Sequence, residues 1–542
     1  GSGPVGMSMA LEFDRLGHEV LVLESGGAEP DSRSTEDSRA IIVNPQTHAP
    51  MEIAVCRTFG GTSWAWGGRC VPFDDIDFVE RDHVPYSTWP INHGEIKPWH
   101  AKAAEYLLCG NDKFEGQPAK LPSSNATLSI TCLERWATEP RIALIHRERI
   151  DQSELITLCL NSTVVDLDLG RDGHSVEGIV VAKPDGSKTT VRARNVVLAM
   201  GGVETTRLLL AIQQRWKDHF GGVDGPLGRY YMGHISGKIA NIVFNKPEYA
   251  AGLDFEKDAT ESFTRKRFTL TAEAQLQHRL MNTAFWPDNP PFCDPTHRSG
   301  VLSSVFLALS FPPLGRRLVS EGIRLAHIGS RPRHYAAHLK NAILGVPGGA
   351  RDIVNILRER FLSKPRKPGF LVRNKAGKYA LHYHAEQEPN PESRILLSNE
   401  TDRFGMPRTI IDFRFTNNDV NSVIASHQVL DTALQASGIG RLEYRYSLDE
   451  LPERVRTQAA DGYHQAGSTR MGHDAKSSVV DADLKVHGVG NLYIASSSVF
   501  PTTGQANSTF PAVALGLRLA HHLVQIADQC SEKTGDKSAN AL

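Results

Sequence analysis

A histidine and an asparagine near the end of the chain are the residues best suited to catalysis. His464 and Asn507 lie in Gly462–Ala514, which reads GYHQAGSTRMG…NLYIASSSVFPTTGQANSTFPAVA. A neutral histidine can remove a proton from a substrate, and an uncharged asparagine can orient the reacting group without competing for that proton. Each residue alone also fits a structural role, a buried histidine or a turn asparagine, so their spacing does not pair them.

The segment after Asn507 predicts a helix that would direct charge at this site. Ser508 or Thr509 can cap the helix, a proline falls in its first turn, and we expect it to continue to about Ile526. The preceding NLYIA segment, residues 491–495, predicts a strand. The positive end of the helix dipole would therefore face a bound group near Asn507.

The first six residues, GSGPVG, form a glycine motif of the dinucleotide-binding type. They match G-x-G-x-x-G, and a helix is predicted directly afterwards, over residues 7–16. A buried strand predicted over residues 19–24 ends in Glu24, which could accept both ribose hydroxyl groups of an adenosine. The acid disfavours a 2′-phosphate, so the motif predicts NAD or FAD rather than NADP. The alternative is a glycine turn before an ordinary helix.

Two further glycine-rich stretches could face the same cofactor. FGGTSWAWGGRCVPFDDID, residues 59–77, suits a loop against a planar ring and equally an aromatic turn in the core. NVVLAM, residues 195–200, predicts a strand that runs into Gly201 and a helix. Residues 155–169 and 175–183 predict the two strands of a hairpin.

The middle of the chain has a different composition. Between about residues 243 and 374, aromatic, proline and basic residues interleave, which predicts an insertion on the substrate or partner side, largely helical over 321–361. Farther on, His382, His384 and Glu386 alternate along one face of a predicted strand. This trio could hold a metal. We favour a polar sheet face over a substrate cavity and predict no metal.

The composition argues against some classes of function. The chain has 542 residues, 40% of them hydrophobic and 22% charged, with a net charge of −1. Its length suggests two to four domains. The charge gives no reason to bind nucleic acid or an anionic membrane, and we expect no apolar run of membrane-spanning length. Seven scattered cysteines without a C-x-x-C pair fit reduced thiols and a cytoplasmic setting. We expect the native protein to have a strand of about 5–6 residues before the glycine motif.

Taken in order, the motifs resemble those of the glucose–methanol–choline (GMC) flavin oxidoreductases. The similarity rests on GSGPVG…LVLESGG, FGGTSWAWGG, NVVLAMGGVETTRLLL, EQEPNPESRILLS and H-x-x-G-S-T-R-M-G…NLYIASSSVFPTTGQANST. It implies an α/β fold with a Rossmann-like FAD-binding domain assembled from separated segments. A second, substrate-binding domain would hold a large antiparallel sheet and helices. The family's catalytic histidine falls on His464, and its second catalytic position falls on Asn507.

The resemblance also implies domain limits and cofactor contacts. The FAD-binding domain would comprise residues 1–90, 155–245 and 460–530, and the substrate-binding domain residues 91–154 and 246–459, with a helical insertion near 315–362 and a polar tail over 531–542. The residues expected to contact FAD are Gly1, Gly3, Pro4, Val5, Gly6, Glu24, Ser25, Gly60, Gly61, Thr62, Ala65, Trp66, Gly67, Gly68, Val165, Ala199, Gly201, Ser496, Ser508 and Thr509.

Two positions depart from the pattern of pyranose 2-oxidases, the branch of the family that the terminal motif resembles together with bacterial sugar and glycoside 3-oxidases or 3-dehydrogenases. Ala65 stands where many pyranose 2-oxidases carry a histidine bonded to the flavin, so the resemblance implies non-covalent FAD. Ser496 replaces a common aspartate on the pyrophosphate side, where a serine can still donate a hydrogen bond.

The reaction implied by the resemblance is FAD-dependent oxidation of a secondary ring hydroxyl of a sugar or glycoside to a ketone. The hydride would go to flavin N5 and the proton to His464. C3 is favoured over C2, and Trp286 and Phe292 of the insertion could wall a cavity for an aglycone. The alternatives are C2 oxidation of free sugars as in pyranose 2-oxidase, a non-catalytic flavoprotein subunit and, from the first motif alone, a NAD-dependent dehydrogenase.

Other properties stay open at this stage. The electron acceptor could be O2 or a quinone-like molecule, which would make the protein an oxidase or a dehydrogenase. The protein could also be oligomeric or bind a small partner subunit.

Overall fold

The computed structural model describes residues 1–116, 121–329 and 331–534, in which helices and strands alternate along most of the chain. The α-helices are α1 (Pro4–Arg15), α2 (Ser32–Glu36), α3 (Met51–Ala54), α4 (His93–Ile96), α5 (His100–Tyr106), α6 (Ile142–Gln152), α7 (Gly202–Gln213), α8 (Ala272–Gln277), α9 (Gly300–Ser310), α10 (Pro312–Leu318), α11 (Glu321–Ile328), α12 (Tyr335–Leu357), α13 (Asn417–Ala436), α14 (Leu451–Gln458) and α15 (Thr509–Thr534). The strands are β1 (Val20–Leu23), β2 (Ile41–Ile42), β3 (Arg69–Cys70), β4 (Leu128–Ser129), β5 (Leu133–Trp136), β6 (Ile156–Cys159), β7 (Thr163–Leu169), β8 (Val176–Ala182), β9 (Lys188–Val191), β10 (Val196–Leu198), β11 (His234–Phe244), β12 (Glu256–Lys257), β13 (Phe263–Lys266), β14 (Phe268–Leu270), β15 (Thr283–Asp288), β16 (Lys378–Glu386), β17 (Arg394–Thr401), β18 (Pro407–Asp412), β19 (Gly440–Tyr444) and β20 (Leu492–Ile494).

Short parallel strands from distant parts of the chain form the first half of the fold. β1 pairs with β6, and β10 pairs with β20. Helix α1 packs against α15, so the two ends of the chain share one core. Parallel strands joined by helices are the Rossmann-like arrangement. The predicted α/β fold assembled from separated segments is therefore confirmed.

A six-stranded antiparallel sheet forms the second half. Its strand order is β19-β11-β16-β15-β14-β4, which confirms the predicted large sheet. Leu381, Tyr383 and Ala385 of β16 join the hydrophobic cluster that contains residues of α13 and α14. Side chains alternate across a strand, so the even-numbered residues of β16, including His384, face the opposite side.

The stretch 155–169 does not form one strand, which corrects the sequence prediction. β6 ends at Cys159 as the parallel partner of β1, whereas β7 begins at Thr163 and forms the hairpin with β8. Between them Asn161 adopts a left-handed conformation with φ of 51°, which ends the extended chain. A period-two pattern of apolar residues cannot show that two adjacent strands join different sheets.

The insertion contains helices α9 to α12, as its composition predicted. Its own hydrophobic cluster includes Phe292, Leu302 and Phe306. Phe292 stacks on His327, with ring centroids 4.5 Å apart. The ring of Phe292 therefore packs in the core of the insertion, and its suggested place in a cavity wall stays a prediction.

Helix α15 corrects two sequence predictions. It continues past Ile526 to Thr534, and residues 535–542 of the predicted polar tail lie outside the described part of the chain. Within α15, Thr509–Gln529 is long and apolar enough to cross a membrane by length and composition. In the structure 72% of its apolar window is buried, and α15 packs against α1 and α5. A core helix of this length passes the same test.

Candidate active site

His464 is held at both ring nitrogens. Nε2 lies 2.9 Å from the side-chain nitrogen of Asn507, and Nδ1 lies 2.9 Å from Oδ2 of Asp461. The Asp461 carboxylate also accepts the backbone N–H groups of Tyr463 at 2.8 Å and His234 at 2.7 Å. Because an ionised carboxylate cannot donate, Nδ1 of His464 carries the proton and Nε2 is the acceptor. The structure thus brings the two sequence-predicted residues together at a nitrogen able to take a proton.

Two buried histidines of the antiparallel sheet lie beside His464. The ring centroids of His234 and His384 are 4.5 Å and 5.7 Å from that of His464, and the two rings stack 4.2 Å apart. Burial and the nearby His464 lower the pKa of His234 to about 3. Burial, His234 and the positive charge of Arg69 hold the pKa of His384 well below its usual range. Both rings are therefore neutral near pH 7.

These three histidines could hold a metal ion by proximity alone. One nitrogen of each lies within 4.8 Å of the others. However, Asp461 and Asn507 already occupy both nitrogens of His464. Arg69 also adds a positive charge beside the other two rings. We therefore keep the prediction of no metal at this site.

The glycine motif forms an open cradle at the start of α1. Gly3 precedes the first helical residue, Pro4, and a Cβ added to Gly3 would meet nothing within 4 Å. A Cβ at Gly6 would lie 2.0 Å from the carbonyl oxygen of Gly1, and one at Gly1 would lie 2.5 Å from that of Ala199. The motif therefore combines tight backbone packing with space at the helix N-terminus, where a pyrophosphate would bind. Val5 follows in the first turn of the helix.

Glu24 follows β1, as the motif requires, and is 5% exposed. Oε2 accepts the backbone N–H and hydroxyl of Ser2 at 2.9 and 2.7 Å, and Oε1 accepts the N–H of Gly26 at 2.9 Å. A carboxylate has further acceptor positions, so these bonds still allow a contact with ribose. Glu24 thus also fixes the glycine turn. Ser25 comes next in the chain, and Val165 is buried in β7.

The tryptophan loop packs directly on the glycine turn. Gly60 and Gly61 have φ of 86° and 55°, and a Cβ on Gly61 would lie 2.8 Å from Cα of Gly3. This approach needs glycine and places the loop against the cofactor cradle. Trp66 donates its indole N–H to a backbone carbonyl at 2.6 Å. The other predicted contacts in this loop are Thr62, Ala65, Gly67 and Gly68.

Parallel pairing of β10 with β20 joins the remaining predicted cofactor residues. Leu198 lies opposite Ile494, so the carboxyl ends that lead to Gly201 and Ser496 meet. Ser496 accepts the backbone N–H of Ser498 at 3.1 Å and so starts a short turn. Ser508, just before Thr509 and α15, has a buried hydroxyl without a hydrogen-bond partner in the described chain, as does Oδ1 of Asn507. Such orphaned polar atoms at a helix start fit a bound cofactor.

Comparisons with known proteins agree with this architecture. Residues 389–516 match the GMC oxidoreductase family, and residues 74–221 match an FAD binding domain family. These matches relate the chain to the GMC oxidoreductases over the two segments, and its cofactor is FAD. Paromamine 6'-oxidase from Streptomyces fradiae is 28% identical over 96% of this chain and 89% of that protein.

Two further comparisons differ in how much they cover. The C-glycoside 3-oxidase from Arthrobacter globiformis is 32% identical over 25% of this chain, and the match spans only 24% of that relative's length. A crystal structure of formate oxidase shares the fold with a TM-score of 0.54, at 14% identity over 98% of both chains.

Asp461 is a site residue that sequence reasoning missed. Burial alone would raise the pKa of its carboxyl, but the charge and hydrogen bond of His464 and the N–H of His234 hold that pKa well below its usual range. The signal was available, since Asp461 stands three residues before His464. A carboxylate that orients a catalytic histidine is a recurrent arrangement.

The three residues predicted on one strand face, His382, His384 and Glu386, have different partners in the structure. Glu386 forms a fully buried pair with Arg81, with two N–O distances of 2.7 Å. His382 stacks on Trp286 with ring centroids 4.4 Å apart. Only His384 lies beside His464. Spacing along the strand showed the shared face but not these different partners.

A cluster of arginines lies beside Trp286. Arg69 and Arg265 place their guanidinium groups 4.7 and 4.5 Å from the Trp286 ring, and both contact the fully buried Glu134. Nothing in the linear spacing of these residues indicated the cluster, because they come from β3, β5, β13 and β15. The two guanidinium groups place positive charge next to Trp286.

The helical insertion contacts two segments that carry candidate site residues. Ser320 donates its hydroxyl to the backbone oxygen of Ala65 at 3.1 Å, which ties the insertion to the tryptophan loop. A Cβ on Gly322 of α11 would lie 2.8 Å from the hydroxyl of Tyr463, the neighbour of His464. The insertion therefore contacts the segment that carries His464.

Proposed function

We propose that the protein oxidises a secondary ring hydroxyl of a sugar or glycoside to a ketone, with C3 favoured and His464 as the base. The single observation that carries the proposal is the chain of contacts Asp461–His464–Asn507. The names of two relatives, a paromamine 6'-oxidase and a C-glycoside 3-oxidase, support a substrate that contains a sugar ring.

The three residues can act together in the transfer of one proton from the substrate hydroxyl. A substrate hydroxyl entering between Asn507 and His464 would accept the Asn507 N–H and donate its own proton towards Nε2 of His464. As the O–H proton moves to Nε2, the imidazole becomes positively charged, and the Asp461 carboxylate at Nδ1 stabilises that charge. The amide of Asn507 stays neutral throughout, so the proton has one destination.

When bound, FAD supplies the acceptor for the hydride that leaves the carbinol carbon. The residues that would hold FAD are those of the glycine turn, Glu24, the tryptophan loop and the start of α15. The dipole of α15 favours negative charge at its N-terminus, immediately after Asn507. In this proposal the base His464, the orienting amide of Asn507 and the start of α15 act at one point.

The position oxidised is the finer part of the proposal. The relatives' names refer to positions 6' and 3, so they do not choose between a primary and a ring hydroxyl. C3 rests on the motif resemblance to bacterial 3-oxo-glycoside-forming enzymes and on the absence of a flavin-linking histidine at Ala65. The runner-up is C2 oxidation of free sugars as in pyranose 2-oxidase.

Anaerobic flavin reduction followed by product analysis tests the proposal. Free glucose and aryl glucosides would be mixed with the holoenzyme, and the bleaching of the flavin absorbance followed. We expect bleaching by glycosides and a 3-oxo product by NMR. A 2-oxo product from glucose, with glycosides inert, would restore the C2 assignment. Reoxidation by air or by a quinone then separates an oxidase from a dehydrogenase, and no bleaching by any sugar would favour a non-catalytic flavoprotein.

A further inference from the structure

Three buried ring nitrogens beside the catalytic base have no side-chain hydrogen-bond partner in the described part of the chain: both nitrogens of His234 and Nε2 of His384. His384 is 5% exposed. Its Nδ1 lies 2.7 Å from the hydroxyl of Ser236, which faces it across the β11–β16 pair. The ring is therefore fixed at one nitrogen and unpaired at the other. Buried polar atoms are seldom left unpaired, so this one points to a ligand group.

The position of His384 indicates which group that is. Its ring stacks on His234, with 4.2 Å between centroids, and a nitrogen of His384 lies within 4.8 Å of one of His464. Hydroxyl oxygens on adjacent carbons of a sugar ring are about one hydrogen-bond length apart. The rings of His384 and His464, with centroids 5.7 Å apart, are therefore close enough for each to bind one hydroxyl of such a pair. His464 would take the reacting hydroxyl, and His384 would take its neighbour.

We propose that His384 is a substrate-positioning residue that binds the hydroxyl next to the one oxidised. The preferred substrate is then a vicinal diol on a sugar ring, a secondary alcohol flanked by a second hydroxyl. A primary alcohol next to a ring-oxygen-bearing carbon lacks that partner. The inference rests on the proposed function and adds to it a requirement that no part of the catalytic chain Asp461–His464–Asn507 imposes.

The chemistry of the ring suits either direction of the hydrogen bond. The Ser236 hydroxyl can donate to Nδ1 or accept from it, so Nε2 of His384 can donate to a substrate hydroxyl or accept from it. A neutral partner of this kind binds a hydroxyl without removing its proton. Burial, together with the nearby His234 and Arg69, lowers the pKa of His384, so the imidazole stays unprotonated and a second base at this point is disfavoured.

The test compares substrates that differ by one hydroxyl. Flavin reduction by an aryl glucoside would be measured by anaerobic stopped flow, beside its 2-deoxy and 4-deoxy analogues. Losing the partner of a buried polar group costs roughly 10–100-fold, so one of the two analogues should lose that factor in the ratio of reduction rate to dissociation constant. In His384→Phe, which keeps an aromatic ring against His234, that loss should shrink to about 3-fold or less, because the nitrogen is gone.

Two further variants separate positioning from a structural role. His384→Gln keeps a side chain able to hydrogen-bond and should restore part of the discrimination between parent and deoxy substrates. His382→Phe, two residues away on the same strand face, keeps a ring against Trp286 and should discriminate as the wild type does. If His384→Phe and the wild type discriminate equally, His384 does not bind that hydroxyl and the inference is overturned.

Non-sugar probes separate this inference from the proposed function. Cyclohexanol and trans-cyclohexane-1,2-diol differ only in the neighbouring hydroxyl. If no sugar bleaches the flavin but the diol does so and loses its advantage over cyclohexanol in His384→Phe, the sugar assignment fails and the inference stands. If sugars bleach the flavin while the deoxy analogues react equally well in the wild type, the inference fails and the function stands. Inertness of both sugars and the diol contradicts both.

Discussion

Asn507 donates its side-chain N–H to Nε2 of His464 at 2.9 Å, although the two residues are 43 positions apart in the chain. The segment between them contains β20 and the turn that starts at Ser496, and α15 begins two residues after Asn507. The segment that carries Asn507 therefore also brings the N-terminus of α15 to the site. A change in the conformation of this segment should disturb His464, Asn507 and the cofactor contacts together.

Asp461→Asn should slow flavin reduction by substrate roughly 10²–10⁴-fold while leaving FAD bound. An amide can donate towards Nδ1 and hold His464 in the wrong tautomer, and it cannot stabilise the positive charge formed at the imidazole. Anaerobic stopped flow with saturating substrate measures the rate. Asp288→Asn, which alters a carboxylate on the sheet near His382, is the matched control and should cost far less. A wild-type rate in Asp461→Asn would remove Asp461 from the mechanism.

Asp461 should also make the stability of the fold depend on pH. Its pKa is lower in the folded chain than in the unfolded chain, so its contribution is complete above the unfolded value of about 4 and is lost as the pH falls towards the folded value. The melting temperature of the wild type should therefore exceed that of Asp461→Asn most at pH 6–7. The difference should shrink at about pH 3. A gap that is constant or grows on acidification would contradict this reading.

Glu24→Ala should weaken FAD binding. The expected loss of binding free energy is about 1–3 kcal/mol, because the ribose hydroxyl groups of FAD would be left buried without an acceptor. The structure adds that Ser2 and Gly26 lose their acceptor as well, so the cofactor-free protein should melt earlier. Titration of the FAD-free protein measures the dissociation constant. Glu29→Ala, on an exposed residue beyond the same strand, should leave that constant unchanged.

The flavin should leave the protein when the protein is denatured. Ala65 has no nucleophilic side chain at the position where the resemblance places a flavin-linking histidine. Acid precipitation should therefore give a colourless pellet and a yellow supernatant. A yellow pellet after washing would show a covalent bond from another residue and disprove non-covalent attachment.

The sequence was sufficient for features that depend on local order. The glycine motif, the strand that ends before Glu24, and the candidates His464 and Asn507 each follow from residue types at short spacing. His234 was not found because its role depends on a contact between β11 and the terminal segment, whereas Asp461 was missed although it stands three residues before His464. A contact between distant segments produces no periodic pattern of residue types in the sequence.

The strand trio shows the same limit. Alternation predicted that His382, His384 and Glu386 share a face, but only the fold shows that Arg81 neutralises Glu386 and that His384 alone reaches His464. Likewise, Phe292 has the composition of a cavity wall, yet its neighbours in the insertion make it core. Residue type limits the possible roles, and the packing of distant elements selects among them.

The central claim, that His464 removes the proton of the substrate hydroxyl, is tested most directly by the rate of anaerobic flavin reduction in His464→Ala. With an aryl glucoside, we expect that rate to fall roughly 10²–10⁴-fold, with FAD bound and the flavin spectrum preserved. In His487→Ala, which alters a histidine of the same terminal segment whose Nε2 lies 3.0 Å from the hydroxyl of Ser478, the flavin should be reduced at nearly the wild-type rate. Wild-type flavin reduction in His464→Ala would contradict the assignment of the base.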